Sequence, residues 1–114
     1  MLTLNSVDEL ISYIGKETGK SHWVKITQEK INEFAKSTQD FQWIHVDEEK
    51  AKNGPFGSTI AHGFLTLSLA PWMSYNTYEV KNLAHSLNYG VDKVRFISPV
   101  KADSNLRGTF KLLE

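Results

Sequence analysis

The sequence has no cysteine among its 114 residues, so disulfides, thiolate nucleophiles and cysteine-ligated metals are all excluded. It also has no net charge: 13 basic residues balance 13 acidic ones, and the pI is near 6.9. Nothing in that balance draws the chain to nucleic acid or to an anionic membrane. No apolar run reaches 18 residues, which argues against a transmembrane helix. The N-terminal stretch Met1 to Gly15 has no long apolar core of the kind a secretory signal needs. Internal repeats, low-complexity segments and linkers are absent, as are a glycine-rich phosphate loop, a GxSxG elbow and an HExxH pair. A cytoplasmic enzyme or binding module is the class that survives.

What is present fits one globular domain: 40% hydrophobic, 23% charged, and long enough for a modest core. Ser6 followed by Glu9 has capping-box spacing ahead of Leu10, Ile11 and Ile14, and Gly15 is placed to end that helix. Trp23 to Ile26 reads as a short strand. Thr27 is placed to cap a helix whose buried face is Ile31, Phe34 and Ala35. Asp47 begins a helical turn, Glu48 to Lys52, that Asn53-Gly54 stops. From Thr59 to about Tyr78, the apolar residues Ile60, Ala61, Phe64, Leu65, Leu67, Leu69, Trp72 and Met73 surround a helix nearly all round. Such a helix is expected to be buried, with a kink or break at Pro71. Beyond Asn82 the pattern turns to strands: Ala84 to Tyr89, the alternation around Val94 and Phe96, and Leu106 to Leu112. The layout is α+β, with antiparallel strands following the helices. Three late strands are few for a sheet that wraps a long helix. The expectation is therefore that the chain is truncated, or that a partner chain completes its sheet.

Two constellations bear chemistry. Asp40 and His45 stand five residues apart in a polar and aromatic stretch expected to be an irregular loop. A carboxylate and a neutral imidazole can hold one water between them, one group taking its proton and the other delivering a proton to a substrate. The plainer alternative makes Asp40 a helix end and His45 a surface or hydrogen-bonded loop residue. The second constellation is Ile60-Ala61-His62-Gly63 at the start of the apolar helix, where backbone N–H groups are free to stabilise negative charge. Gly63 would let a carbonyl oxygen approach its N–H closely, or would only let the helix pack tightly. His62 reads as a buried, hydrogen-bonded supporting residue. The histidines at 22, 45, 62 and 85 contain no helical i, i+4 metal pair, so no metal site is expected. Trp23, Trp43 and Trp72 are scattered anchors, and Ser58 and Ser68 sit in no nucleophile motif.

The run from Phe34 through Asp40-Phe41-Gln42-Trp43-Ile44-His45 to Asp47, continued by Gly54-Pro55-Phe56-Gly57 and Ile60-Ala61-His62-Gly63-Phe64-Leu65-Thr66, resembles the hydratase-2 motif of MaoC-like dehydratases. The QWIHVD form, with Asn88 to Phe96 and Pro99-Val100, resembles the NodN-like branch. The likeness covers nearly the whole chain. It implies a hot-dog fold over residues 1–114 as a single domain, an antiparallel sheet wrapped around a long central helix, working as a homodimer. It also implies reversible syn-hydration of a trans-2-enoyl-CoA to an (R)-3-hydroxyacyl-CoA without metal or organic cofactor, the CoA thioester being the substrate. Matched position by position, Asp40 and His45 take the place of the catalytic pair. Gly63 takes the place of the glycine that binds the thioester carbonyl, with His62 in support. The family more often has Asn-Pro where this chain has Gln42-Trp43, which alters the loop and the acyl pocket. Members also continue some tens of residues past the position of Glu114, so the sheet is expected to be incomplete at its C-terminal end. An acyl-CoA thioesterase on the same fold and a non-catalytic acyl-CoA binding module are the rival readings.

Overall fold

A computed structural model describes residues 1–114. In chain order the elements are β1 (Leu2–Leu4), α1 (Val7–Ile11), β2 (Glu17–Lys20), β3 (Val24–Ile26), α2 (Gln28–Thr38), α3 (Trp43–Val46), α4 (Glu48–Lys52), α5 (Gly63–Ser68), α6 (Ala70–Tyr75), β4 (Tyr78–Val80), β5 (Ser104–Leu106) and β6 (Thr109–Lys111). The fold is α+β. The chain divides into two compact units: Trp23–Leu69 with Phe96–Leu106, and Met1–His22 with Ala70–Arg95 and Arg107–Glu114. No helix is long and apolar enough to cross a membrane.

The first of these units carries the chemistry. β3 pairs antiparallel with β5, Val24 opposite Leu106 and Ile26 opposite Ser104. The Thr27 hydroxyl accepts from the Lys30 N–H at 3.1 Å and so starts α2. The inner face of α2 is Ile31 and Ala35, both fully buried, and Ile31 meets Ile26, Ala61 and Leu65 in one apolar cluster, with Phe34 of the same helix packed against it. Full burial of Ile26 and Ile31 contributes on the order of 1.5–3 kcal/mol each. α2 stops because Gln39 turns left-handed, φ 65°, and this releases the chain at Asp40. Asp47 then ends α3 and starts α4, its Oδ1 accepting from the Lys50 N–H at 3.0 Å. The extended segment Thr59–Ala61 is tied on both edges. Ile60 N–H donates to Ile44 O at 3.0 Å, Ala61 N–H to Val100 O at 2.7 Å, and Ala102 N–H to Thr59 O at 3.0 Å.

In the other unit β1 runs parallel to β4, Leu2 opposite Tyr78 and Leu4 opposite Val80, while β2 pairs antiparallel with β6 across a register shift between Glu17 and Gly19. Ser6 caps α1, its hydroxyl accepting from the Glu9 N–H at 3.2 Å. The Glu9 carboxylate reaches back to the Asn5 N–H at 2.6 Å, one residue short of a strict capping box.

The strand at 24–26, the three caps and the stop at Asn53-Gly54 agree with expectation. The expected break at Pro71 is present as well, and three expectations are corrected. The apolar helix is two six-residue pieces, α5 and α6, interrupted at Leu69 just before Pro71, whose ring bars the Leu67 carbonyl from continuing the ladder. It is not buried all round: Leu65 and Met73 are buried, but Phe64 is 69% and Trp72 44% exposed. Ala84 to Tyr89 and the stretch around Val94 and Phe96 form no strand, because period-2 alternation needs a ladder partner and these residues have none. Leu106 to Leu112 is two strands, β5 ending at Leu106 and β6 starting at Thr109. The sequence pattern gave no sign of β1, β2, β4 or α3, each of only three or four residues.

Candidate active site

Asp40 follows directly on the left-handed cap of α2. Its N–H donates to Ala35 O at 3.1 Å and its Oδ1 accepts from the Gln42 N–H at 3.3 Å, so both its backbone and its carboxylate are oriented locally. The side chain is exposed. His45 lies not in an irregular loop but in α3, and it is buried, 7% exposed. Its Nδ1 is 2.7 Å from the Ile60 carbonyl oxygen. A carbonyl only accepts, so Nδ1 carries the hydrogen and Nε2 keeps an in-plane lone pair. Burial, the largest influence, pushes the His45 pKa below its usual 6.5. The nearby His62 pushes the same way, while the Ile60 carbonyl and Asp40 oppose. The ring is therefore neutral near pH 7, and Nε2 is a base.

His62, 2% exposed, sits at the N-terminal cap of α5. Its Nε2 is 3.0 Å from the backbone oxygen of Asp40, so that nitrogen is the donor. Its ring stacks on His45, centroids 3.8 Å apart and planes 24° apart, and the Phe34 ring packs against it at 4.9 Å. Ligand-type atoms of Asp40, His45 and His62 lie within 4.8 Å of one another. Such a triplet resembles a metal site. Each histidine spends one nitrogen on a backbone carbonyl and keeps the other as a lone pair, as a metal-binding histidine also would, so the directions of the two rings decide. With ring planes so nearly parallel, the in-plane lone pairs run side by side and do not converge on one ion. The arrangement suits a held water better than a shared metal.

The next residue, Gly63, opens α5, where a backbone N–H has no intrahelical acceptor. A Cβ built at Gly63 would lie 2.5 Å from Phe96 Cδ2, so the glycine lets the Phe96 ring cover it. Close packing and a backbone N–H without an intrahelical acceptor thus coincide at this position. α5 is only six residues long, so its dipole adds little and the N–H itself is the useful group.

Sequence reasoning missed one supporting residue, Gln28. Gln28 donates through Nε2 to the His45 carbonyl oxygen at 2.8 Å and to Asn32 Oδ1 at 2.9 Å, and its Oε1 accepts from the Thr59 hydroxyl. One side chain in the first turn of α2 thereby ties α3 to the extended segment that receives His45 Nδ1–H. A glutamine after a threonine cap looks like an ordinary first-turn residue, and no local signal marks it.

The family model described as MaoC like domain matches residues 10–114. The chain belongs to this family. It is 50% identical over 113 residues to 3-hydroxyacyl-thioester dehydratase Z of Mycobacterium tuberculosis, covering 99% of this chain and 75% of that protein. It is 49% identical over 111 residues to nodulation protein N of Rhizobium leguminosarum bv. viciae, covering 96% and 69%. Among solved structures, an Archaeoglobus monoamine oxidase regulatory protein superposes with a TM-score of 0.77 at 27% identity, over 100% of this chain and 75% of that one. The unliganded R-hydratase PhaJ1 of Pseudomonas aeruginosa gives 0.65 at 26% identity, over 84% and 61%. These neighbours place the MaoC-like chain in the hot-dog class of α+β folds, and the names of its relatives support a hydratase or dehydratase function.

Proposed function

We propose that this MaoC-like protein is an (R)-specific enoyl-CoA hydratase, adding water reversibly to a trans-2-enoyl-CoA to give the (R)-3-hydroxyacyl-CoA. The observation that carries the reading is the neutral His45. Its Nδ1–H is committed to Ile60 O, and its bare Nε2 belongs to a ring within 4.8 Å of Asp40 by their ligand-type atoms. Asp40 and His45 hold one water. As the water oxygen bonds to C3, the pair takes one of its protons and returns a proton to C2 on the same face. The remaining hydrogen stays on the new hydroxyl, so the atoms of water are fully accounted for. Electron density that leaves the double bond reaches the thioester oxygen, where the Gly63 N–H donates to it. Apart from the C3–O bond that replaces the π bond, every step is a proton transfer or a hydrogen bond, and the CoA is part of the substrate. The relatives' acyl-thioester and R-hydratase names fit an acyl-CoA substrate, and the reading includes a homodimer as the working form.

The test is the loss of conjugated-enoyl absorbance of crotonyl-CoA on adding the purified protein, with chiral analysis of the product. Formation of (R)-3-hydroxybutyryl-CoA is expected. Release of free CoA thiol without hydration would point to a thioesterase and overturn the reading, as would binding of the substrate without turnover. Sedimentation equilibrium decides the homodimer separately.

A further inference from the structure

We infer that His62 is a positioning residue of this site, holding the Asp40 loop and the His45 ring in register through two separate contacts. The inference rests on the hydratase reading above and deepens it. The first contact is the Nε2–H hydrogen bond to the Asp40 backbone oxygen, 3.0 Å, which joins the start of α5 to a residue 22 positions earlier. The Asp40 carboxylate is otherwise held only by its own local turn, the 3.3 Å contact from the Gln42 N–H. The second is the 3.8 Å stack on His45, which limits rotation of that ring about the axis left free by its single bond to Ile60 O.

The remaining nitrogen argues that these contacts are not there for packing alone. His62 Nδ1 is buried and has no hydrogen-bond partner. A buried acceptor without a donor is a penalty to the fold. A phenylalanine would fill the same place against Phe34 and stack on His45 with no such penalty, but it would lose the tie to Asp40. A histidine is the side chain that supplies both a flat ring and a donor at the Nε2 position, and the orphaned Nδ1 is the consequence.

The two contacts separate by substitution. His62→Phe keeps the ring and removes the donor; His62→Gln keeps a donor at the equivalent reach and removes the ring; His62→Ala removes both. Steady-state crotonyl-CoA kinetics and nitrogen-15 NMR of the imidazoles provide the readouts. Because misplacement of catalytic groups acts on turnover, the Phe and Gln variants are each expected to lose about 10-fold in kcat and the Ala variant about 100-fold, at nearly unchanged KM. The His45 signals should report one tautomer, Nδ1–H, in the wild type and in His62→Phe, and tautomer averaging in His62→Gln and His62→Ala. Wild-type kcat in both single-contact variants, or His45 signals unchanged in folded His62→Gln, overturns the proposal and leaves His62 as a structural residue. Should the wild type itself fail to hydrate crotonyl-CoA, the hydratase reading fails, and the tautomer readout still decides the positioning role.

Discussion

Replacing His45 in two different ways separates its chemistry from its place in the fold. In His45→Asn the amide nitrogen occupies nearly the position of Nδ1 and can still donate to Ile60 O, but nothing stands where Nε2 was. In His45→Leu the base and the donor both go, at similar volume. Both variants lose the 3.8 Å stack on His62, worth roughly 0.5–1.5 kcal/mol. Only the leucine variant strands the Ile60 carbonyl. That residue is 8% exposed, and a buried acceptor left without its donor costs about 1–3 kcal/mol. In a chain of this length each kcal/mol moves the melting temperature by roughly 4 °C, so His45→Leu should melt about 4–12 °C below His45→Asn. Loss of the base should lower kcat for crotonyl-CoA hydration by about 10²–10⁴-fold in both. Differential scanning calorimetry and the absorbance assay measure the two effects independently. Equal melting temperatures would refute the hydrogen-bond reasoning, and an asparagine variant within 10-fold of wild-type turnover would refute the assignment of Nε2 as the base.

Asp40→Asn preserves an oxygen that can accept from the Gln42 N–H, so thermal stability should stay within about 0.5 kcal/mol, as for most exposed positions, while hydratase turnover falls by at least about 10²-fold. Urea titrations at several pH values should show stability falling as pH drops below 6.5. There the unfolded chain protonates His45 while the folded chain, with its depressed pKa, does not, so protons favour unfolding until the folded pKa is reached; His45→Asn should lose that part of the slope. Gly63→Ala drives a Cβ to 2.5 Å from the Phe96 ring and should destabilise by about 1–3 kcal/mol as well as slow turnover. Adding Phe96→Ala should restore stability but not activity; recovery of both would make Gly63 a packing residue alone.

The candidate site was legible in the sequence to the extent that its pieces lie next to helix signals. Thr27, Asp47 and Asn53-Gly54 are local devices whose effect depends on residues three or four positions away, and each acts as its chemistry dictates. The convergence of Asp40, His45 and His62 is a tertiary event: 22 residues separate the ends of the Asp40–His62 hydrogen bond. No periodicity reveals it, and the motif resemblance supplied what spacing could not. Strands failed for the complementary reason. Leu87, Tyr89 and Val91 alternate as a strand should, yet all three are exposed and carry no ladder. In contrast, Leu2–Leu4 and Tyr78–Val80 are too short to show alternation and pair with each other. Pairing is decided by the partner, and a partner 76 residues away leaves no local trace.

The chemistry of the site follows from an imbalance between acceptors and donors. Its two histidines each give their single N–H to a backbone carbonyl, Ile60 O and Asp40 O, so neither has a hydrogen left for a substrate. What remains on these side chains is a carboxylate, the His45 Nε2 lone pair and the His62 Nδ1 lone pair, all acceptors. A site of this kind has nothing to offer the oxygen of an incoming carbonyl except backbone N–H groups, which is the part left to Gly63 at the start of α5. It has much to offer a molecule that brings its own hydrogens. Water brings two and is the smallest such molecule, and hydration is a reaction in which that same water supplies both the hydroxyl and the proton. The surplus of acceptors around Asp40 and His45 therefore favours activation of a water, the one reactant that brings hydrogens for two acceptors and supplies both groups added to the double bond.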